Sequence, residues 1–203
     1  MSGRRIRLLL SRGGDGRRPA NPRQLHAGLL DQLIVLPQRE RIEAHIGAAA
    51  LARITSCHGL AFLDGADYEA VVAAGHAELD EQTFLRVLRR QTNTFRETPL
   101  IATTVRALLR LVGSSAHGIF RHLPRLRDAT VRGFGTLAYE RVGDKEARLT
   151  LHGYPTAYTN DANVVVMRAT FLGVLDLTGD EGEAVLTSRD AARGDMDFTV
   201  RWR

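Results

Sequence analysis

A group of arginines in the middle of the chain has a residue type and a spacing that suit binding of a charged ligand. A guanidinium group carries a permanent charge and five N–H donors, which match phosphate or carboxylate oxygens. The group therefore predicts a site for an anionic ligand or an acidic partner, and a solvated helix face is the alternative interpretation. Its members are Arg106, Arg110, Arg121, Arg125, Arg127 and Arg132.

A glycine motif at 133–138, GFGTLA, fits the G-x-G-x-x-A pattern of dinucleotide-binding proteins. In those proteins a helix begins at the last glycine and directs its free N–H groups at the pyrophosphate. Here the residues after Gly135 have the alternation of a strand. We therefore interpret the two glycines as permitting a bulge or close packing in a strand.

The seven histidines and the single cysteine lack the spacing of a metal site. There is no H-E-x-x-H sequence and no paired Cys/His pattern. His76 and Glu78 match the opening of the zinc-deaminase signature, but its P-C-x-x-C half is absent. Cys57 and His58 are adjacent, and neighbouring side chains point apart in a helix or strand. The sequence therefore predicts neither a metal nor another cofactor.

Recognisable catalytic motifs are also missing from the sequence. It contains no G-x-S-x-G, no Walker loop and no clearly spaced pair of carboxylates. An enzyme with scattered catalytic residues stays an alternative. For DNA binding, no helix-turn-helix is recognisable, and few aromatic residues accompany the arginines to stack on bases.

Length and composition are those of one globular domain. The chain has 203 residues, of which 44% are hydrophobic and 25% charged. One cysteine excludes an intrachain disulfide and indicates a reducing cytoplasm. No apolar run approaches the roughly 20 residues of a membrane span.

The net charge of +5 is concentrated at the amino terminus. Residues 1–23 contain seven arginines and one aspartate, so residues 24–203 carry a net charge of −1. Glycine, proline and arginine dominate this first segment, which cannot bury enough apolar surface to fold. We predict a flexible basic arm at 1–23 and a single domain at 24–203.

Apolar residues recur every three or four positions through the first two thirds of the chain, which predicts helices. A short helical segment precedes Pro37, and Asp80 is suited to cap the start of one of the later helices. The last helix of this part is expected to be interrupted at Pro124. The predicted helices after Pro37 cover about 38–55, 65–77, 80–92, 99–113 and 114–126.

The period changes to two after Asp128, which predicts strands. Strands at 131–142 and 147–153 form a hairpin with its turn at Gly143-Asp144, and strands at 183–188 and 197–202 form a second pair. Between them, 160–179 is predicted to be an amphipathic helix, capped by Asn160 or Asp161 and ended by Gly179. The fold class is α+β: an N-terminal helical bundle on a four-stranded antiparallel sheet, with a β-β-α-β-β C-terminal part.

Four sequence blocks resemble the myxococcal paralogous family of uncharacterised domains: LLRLVG at 108–113, HLPRL at 122–126, ATFLGVLDLTG at 169–179 and DFTVRW at 197–202. The resemblance covers roughly residues 38–203. That family is similar in layout to the fold of heme-NO-binding, vinyl-4-reductase and TRAPP-subunit proteins. The analogy implies helices over a four-stranded sheet, with a ligand pocket or buried lipid. It would make His117 the proximal heme ligand, but the Tyr-x-Ser-x-Arg motif that clamps the propionates is missing.

These observations predict a non-catalytic module that senses a ligand or binds a protein. In this hypothesis the apolar helices form the pocket or interface, and the arginines of 106–132 form its rim. The expected partner is a protein or a small apolar or anionic ligand, and a homodimer is left open. Nucleic-acid binding by the arm and the arginines is the second hypothesis, and an unrecognised enzyme is the third.

Overall fold

The structure, a computed structural model, describes the C-terminal two fifths of the chain continuously and the preceding part in segments. All statements about the fold concern these residues. The described parts are 23–24, 33, 36–56, 63–97, 113 and 115–203.

Six α-helices lie in the described part of the chain. In chain order they are α1 (Arg39–Ile46), α2 (Ala48–Ser56), α3 (Gly65–Glu78), α4 (Glu81–Glu97), α5 (Ala116–Thr130) and α6 (Asp161–Thr178). Asp80 caps α4 as expected, because its Oδ1 accepts a hydrogen bond from the Thr83 N–H at 2.9 Å. None of these helices is long and apolar enough to cross a membrane.

Helix α6 is the centre of the molecule. It packs against α3, α4, α5 and the sheet, and Phe171 meets Phe198 edge to face with ring centroids 5.3 Å apart. The Asn160 side chain accepts the N–H of Asn163 at 2.9 Å, and Gly179 ends the helix with a φ of 74°. Both predicted caps are confirmed. They satisfy backbone groups that the helix itself leaves unpaired.

Four antiparallel strands form the main sheet in the order β4-β5-β7-β6. The strands are β4 (Thr136–Gly143), β5 (Glu146–His152), β6 (Gly182–Asp190) and β7 (Asp195–Trp202). The two hairpins are joined by pairing of β5 with β7, where Leu149 lies opposite Phe198. Alternate residues of β7 are buried, as predicted, and face the helices. The α+β class and the β-β-α-β-β order are thus confirmed.

A second, three-stranded sheet was not predicted. Two-residue strands β1 (Arg23–Gln24), β2 (Leu63–Asp64) and β3 (Val131–Arg132) pair antiparallel in the order β2-β1-β3. Strands this short have no periodicity for a sequence pattern to reveal. The sheet brings residue 23, the end of the predicted arm, beside the start of the strand region.

Two predictions about the continuity of helices are wrong. The helix predicted at 38–55 is divided into α1 and α2 by Gly47, whose φ of 82° turns the chain. Conversely, α5 runs through Pro124 to Thr130. A proline inside a helix costs roughly 3 kcal/mol. Phe120 before it and Arg127 after it are both buried, so packing on either side holds the helix together.

The first hairpin also differs from its prediction. The predicted strand 131–142 is divided into β3 and β4 at 133–135, and the turn is Asp144-Lys145, because Gly143 still pairs with Glu146. Both glycines of the GFGTLA motif lie in the bend between β3 and β4 and not within a strand, but a strand and not a helix follows Gly135, as predicted. At that glycine, with φ 40°, a Cβ would stand 1.8 Å from the carbonyl oxygen of His152. The helices predicted before Pro37 and at 99–113 lie, apart from Leu33 and Gly113, outside the described residues.

Candidate functional site

Helix α5 carries half of the predicted arginine group, and its two faces differ. Ile119 and Phe120 are buried between the helix and the sheet. Arg121 and Arg125 are exposed. Residues four positions apart lie one above the other on a helix, so these two guanidinium groups share one surface.

The charges of Arg121 and Arg125 are not neutralised by any carboxylate in the part of the chain that the structure describes. Most of the other arginines that the structure describes are paired with a carboxylate. Arg141 Nη2 lies 2.8 Å from Asp144 Oδ1, and Arg148 Nη1 lies 2.9 Å from Glu140 Oε2. Other paired arginines in the described residues are Arg39, Arg41, Arg53, Arg89, Arg127, Arg168, Arg189, Arg193, Arg201 and Arg203.

Helix α5 packs against strand β4, and Arg121 is the exposed arginine of this helix that acts on a residue of the strand. Burial raises the pKa of Tyr139 on that strand, and the positive charges of Arg121 and Arg141 oppose the rise. Both guanidinium groups are therefore close enough to act on the same phenol. This exposed positive surface is formed by Arg121, Arg125 and Arg141, and we call it the α5 arginine surface.

Arg127 takes a different position from its two neighbours on α5. It is 8% exposed and donates to the carbonyl oxygens of Phe134 and Gly135 and, from Nε, to the Tyr154 hydroxyl at 3.2 Å. Its guanidinium carbon also lies 5.0 Å from the Tyr154 ring centroid. Arg127 thus ties α5 to the segment before β4 and to the residue after Gly153. The structure does not bring it to the α5 arginine surface.

The three remaining predicted site residues cannot be placed at the surface. Arg106 and Arg110 lie outside the described residues. Arg132 is in β3, where its Cα is paired with that of Arg23, and its side chain is not described. Arg141 was missed by the sequence prediction because it lies on a strand beyond the 106–132 interval.

His117, at the start of α5, is held on three sides. Its Nε2 lies 2.8 Å from the Gly143 carbonyl oxygen and 3.0 Å from that of Asp144. Its Nδ1 lies 2.8 Å from the Tyr139 hydroxyl. Its ring also meets Trp202 edge to face, with centroids 4.6 Å apart. These contacts join α5, β4, the β4–β5 turn and the end of β7.

An open depression of about 360 Å³ lies on the face of the sheet that looks away from the helices. Its walls are polar. The Thr150 hydroxyl donates to Asp197 Oδ1 at 2.6 Å, and Arg148 pairs with Glu140. His152, beside them, lies 3.6 Å from an Asp195 oxygen. These groups are largely satisfied by one another, so the depression lacks the convergent free donors or acceptors of a binding site.

The histidine and carboxylate side chains that the structure describes contain no cluster able to hold a metal ion. Cys57 and His58 lie outside that part of the chain.

Comparison with solved structures relates the fold to H-NOX (heme-NO-binding) domains. One, solved to explain the mechanism of H-NOX activation, matches with a TM-score of 0.58 and 10% identity over 89% of this chain and 96% of that one. An oxygen-binding H-NOX domain related to soluble guanylate cyclases matches with a TM-score of 0.51 and 10% identity, covering 86% and 91%. A mutant Fe(II) unliganded H-NOX protein from K. algicida matches at 0.54 and 9%, covering 86% and 92%.

At such low identity the likeness concerns the fold alone. It confirms the predicted similarity in layout to the heme-NO-binding fold. No protein-family model and no curated protein matches the sequence. Membership of the myxococcal family therefore stays a prediction.

The resemblance described in the sequence analysis makes His117 the expected heme ligand, and the contacts of His117 in the structure do not fit that role. An iron-bound imidazole needs a ring nitrogen with a free lone pair facing the metal. Both nitrogens of His117 are engaged by protein groups within 3.0 Å. The sequence also lacks the motif expected to clamp the propionates.

Proposed function

We propose that the chain is a non-catalytic module that senses a ligand or binds a protein partner, and that the α5 arginine surface contacts an anionic group. The observation that carries the proposal is the pair Arg121 and Arg125. Both are exposed and unpaired among the described residues, whereas most arginines there have a carboxylate partner. Two unneutralised charges four residues apart favour a carboxylate or phosphate ligand.

The layout supports the same class of function. One of the similar solved structures is an oxygen-binding domain, so this arrangement of helices over a sheet holds a small ligand in at least one protein. For this chain we propose a bound apolar molecule among the helices, or a partner protein on them, with the arginines at the rim. A signalling role in the cytoplasm and a homodimer belong to the same proposal.

Binding measurements with a matched control test the α5 arginine surface. The probes are a glutamate-rich peptide and a DNA duplex, each titrated at about 50 and 200 mM salt. The variant is R121E/R125E. The control is R86E, because Arg86 is exposed on another helix and its described hydrogen bond, to Thr83 Oγ1 at 2.9 Å, involves no carboxylate. We expect the peptide to bind the wild type and R86E and to lose at least about tenfold in affinity with R121E/R125E.

Nucleic-acid binding is the competing function, and the dependence of affinity on salt distinguishes it from the proposed function. A protein that neutralises about six phosphates loses roughly a thousandfold in DNA affinity over this salt interval. Steep, salt-sensitive DNA binding that disappears in R121E/R125E would replace our proposal. Peptide binding that R121E/R125E and R86E reduce equally would show that the α5 arginine surface is not the site.

Native mass spectrometry tests the ligand half of the proposal. The mass of the intact purified protein is compared with its mass under denaturing conditions. A small molecule present only in the native spectrum supports a sensing module, and the same spectrum shows whether the chain is a dimer. A monomer without added mass would leave only the protein-binding form of the proposal.

A further inference from the structure

We propose that His117 is a structural latch between α5 and the β4–β5 hairpin, and that it does not bind heme iron although the chain has an H-NOX layout. The inference rests on the contacts of one side chain. It is therefore independent of the proposed role of the α5 arginine surface.

The partners of His117 determine which ring nitrogen carries the proton. The carbonyl oxygens of Gly143 and Asp144 can only accept hydrogen bonds, so Nε2 near both of them must be the N–H donor. In the neutral ring Nδ1 is then the acceptor, and the Tyr139 hydroxyl donates to it at 2.8 Å. Every polar group of the imidazole is used in this arrangement.

This tautomer is incompatible with an iron bond. The Nε2 lone pair is replaced by a proton that points at the β4–β5 turn, and the Nδ1 lone pair is directed at Tyr139. Coordination would require His117 to leave the turn, which would break its hydrogen bonds to the Gly143 and Asp144 carbonyls and to the Tyr139 hydroxyl. The ring would also leave its edge-to-face contact with Trp202.

The same contacts explain what the residue does instead. His117 lies in the first turn of α5, Tyr139 lies on β4, and Trp202 ends β7. Phe120, one turn further along α5, meets Trp202 with ring centroids 5.8 Å apart. The latch therefore fixes the start of α5 against the end of the sheet that contains the β4–β5 turn and Trp202. Arg127 fixes the other end of the helix through the Phe134 and Gly135 carbonyls.

A heme titration tests the exclusion of iron. The full-length wild type, H117A and H122A are titrated with hemin, in the oxidised and the dithionite-reduced state, and the Soret and visible bands are recorded. His122 is the matched control because it is a half-buried histidine on the same helix. We expect the three proteins to give the same spectra at every ratio of hemin to protein. A stoichiometric histidine-ligated spectrum of the wild type that only H117A abolishes would overturn the proposal.

Thermal unfolding of the same variants tests the latch. We expect H117A to lower the melting temperature by roughly 4 to 8 °C and H122A by less than about 2 °C. Y139F, which removes one hydroxyl, should lower it by roughly 2 to 4 °C. Y139F should add little when it is introduced into H117A, because the hydrogen bond is then already lost. Equal effects of H117A and H122A, or additive effects of H117A and Y139F, would contradict the latch.

Histidine-selective ¹⁵N NMR of the wild type keeps the proposal testable if H117A does not fold. We expect the His117 signals of the neutral ring to show a protonated Nε2 and an unprotonated Nδ1. A protonated Nδ1 with a free Nε2 would contradict the assigned hydrogen bonds and would restore His117 as a candidate ligand.

Discussion

Replacing Val200 with aspartate should destabilise the protein by about 3 to 5 kcal/mol. Val200 is 0% exposed on the central strand β7, where it is flanked by Ala147 on β5 and Ala184 on β6. Losing the burial of one valine costs about 1.5 to 3 kcal/mol. A buried carboxyl without a partner adds roughly 1 to 3 kcal/mol even when it is protonated. Neither flanking alanine offers a polar side chain to reduce that cost.

Thr199 provides the matched control. It lies one residue away on the opposite face of the sheet, half-exposed and opposite Arg148 and Val185. Thr199→Asp should change the free energy of unfolding by at most about 0.5 kcal/mol, since a surface substitution beside an arginine meets no buried group. The two variants have the same new side chain and differ only in the face that carries it.

Urea unfolding followed by far-UV circular dichroism measures both variants. We expect the midpoint to fall for Val200→Asp at an unchanged slope. The loss of unfolding free energy should increase as pH rises above about 4. Burial raises the pKa of the new carboxyl, so the folded state holds the proton more tightly than the unfolded state. Equal destabilisation by Val200→Asp and Thr199→Asp would refute the assignment of the sheet faces.

Three further predictions concern the turns, the helix cap and the amino terminus. Gly135→Ala should destabilise the protein by more than about 2 kcal/mol in the same urea assay, because the added Cβ meets the backbone of β5. The hydrogen bond from the Thr83 side chain lowers the pKa of the Asp80 carboxyl. An NMR titration should therefore give a higher pKa for Asp80 in Thr83→Ala than in the wild type. Removing residues 1–22 should leave the melting temperature within about 2 °C of the full-length value, whereas removing Arg23–Gln24 as well should lower it further, because those residues form β1.

The sequence predicts well the features that have a regular hydrophobic pattern over several residues or that depend on residues close together in the chain. Alternation along Asp195–Trp202 identifies the strand and its buried face. Helix α6 is equally clear at its ends, because Asn160 and Gly179 act through their own backbone neighbours. The layout follows once these elements are in order, because two hairpins around one helix have few ways to cover a shared core.

The features that the sequence does not reveal depend on contacts distant along the chain. Nothing local shows that Phe120 and Arg127 are buried on either side of Pro124 and keep α5 intact. Which arginines of the group are exposed and which are buried also depends on the orientation in which α5 packs against β4. Arg127 and Arg121 are of the same type and six residues apart, yet one binds the protein's own carbonyls and the other faces water.

The pairing of β5 with β7 has a consequence for the speed of folding. The β4–β5 and β6–β7 hairpins each close a short loop, but β5 and β7 meet only after the 42 residues between them, α6 included, are folded back. Closing a long loop loses chain entropy before the strands gain their hydrogen bonds, so this step is slower than the formation of either hairpin. We therefore expect the transition state for folding to contain α6 and the paired strands β5 and β7. Substitutions in those two strands should slow folding, and those at the outer edges of β4 and β6 should mainly speed unfolding.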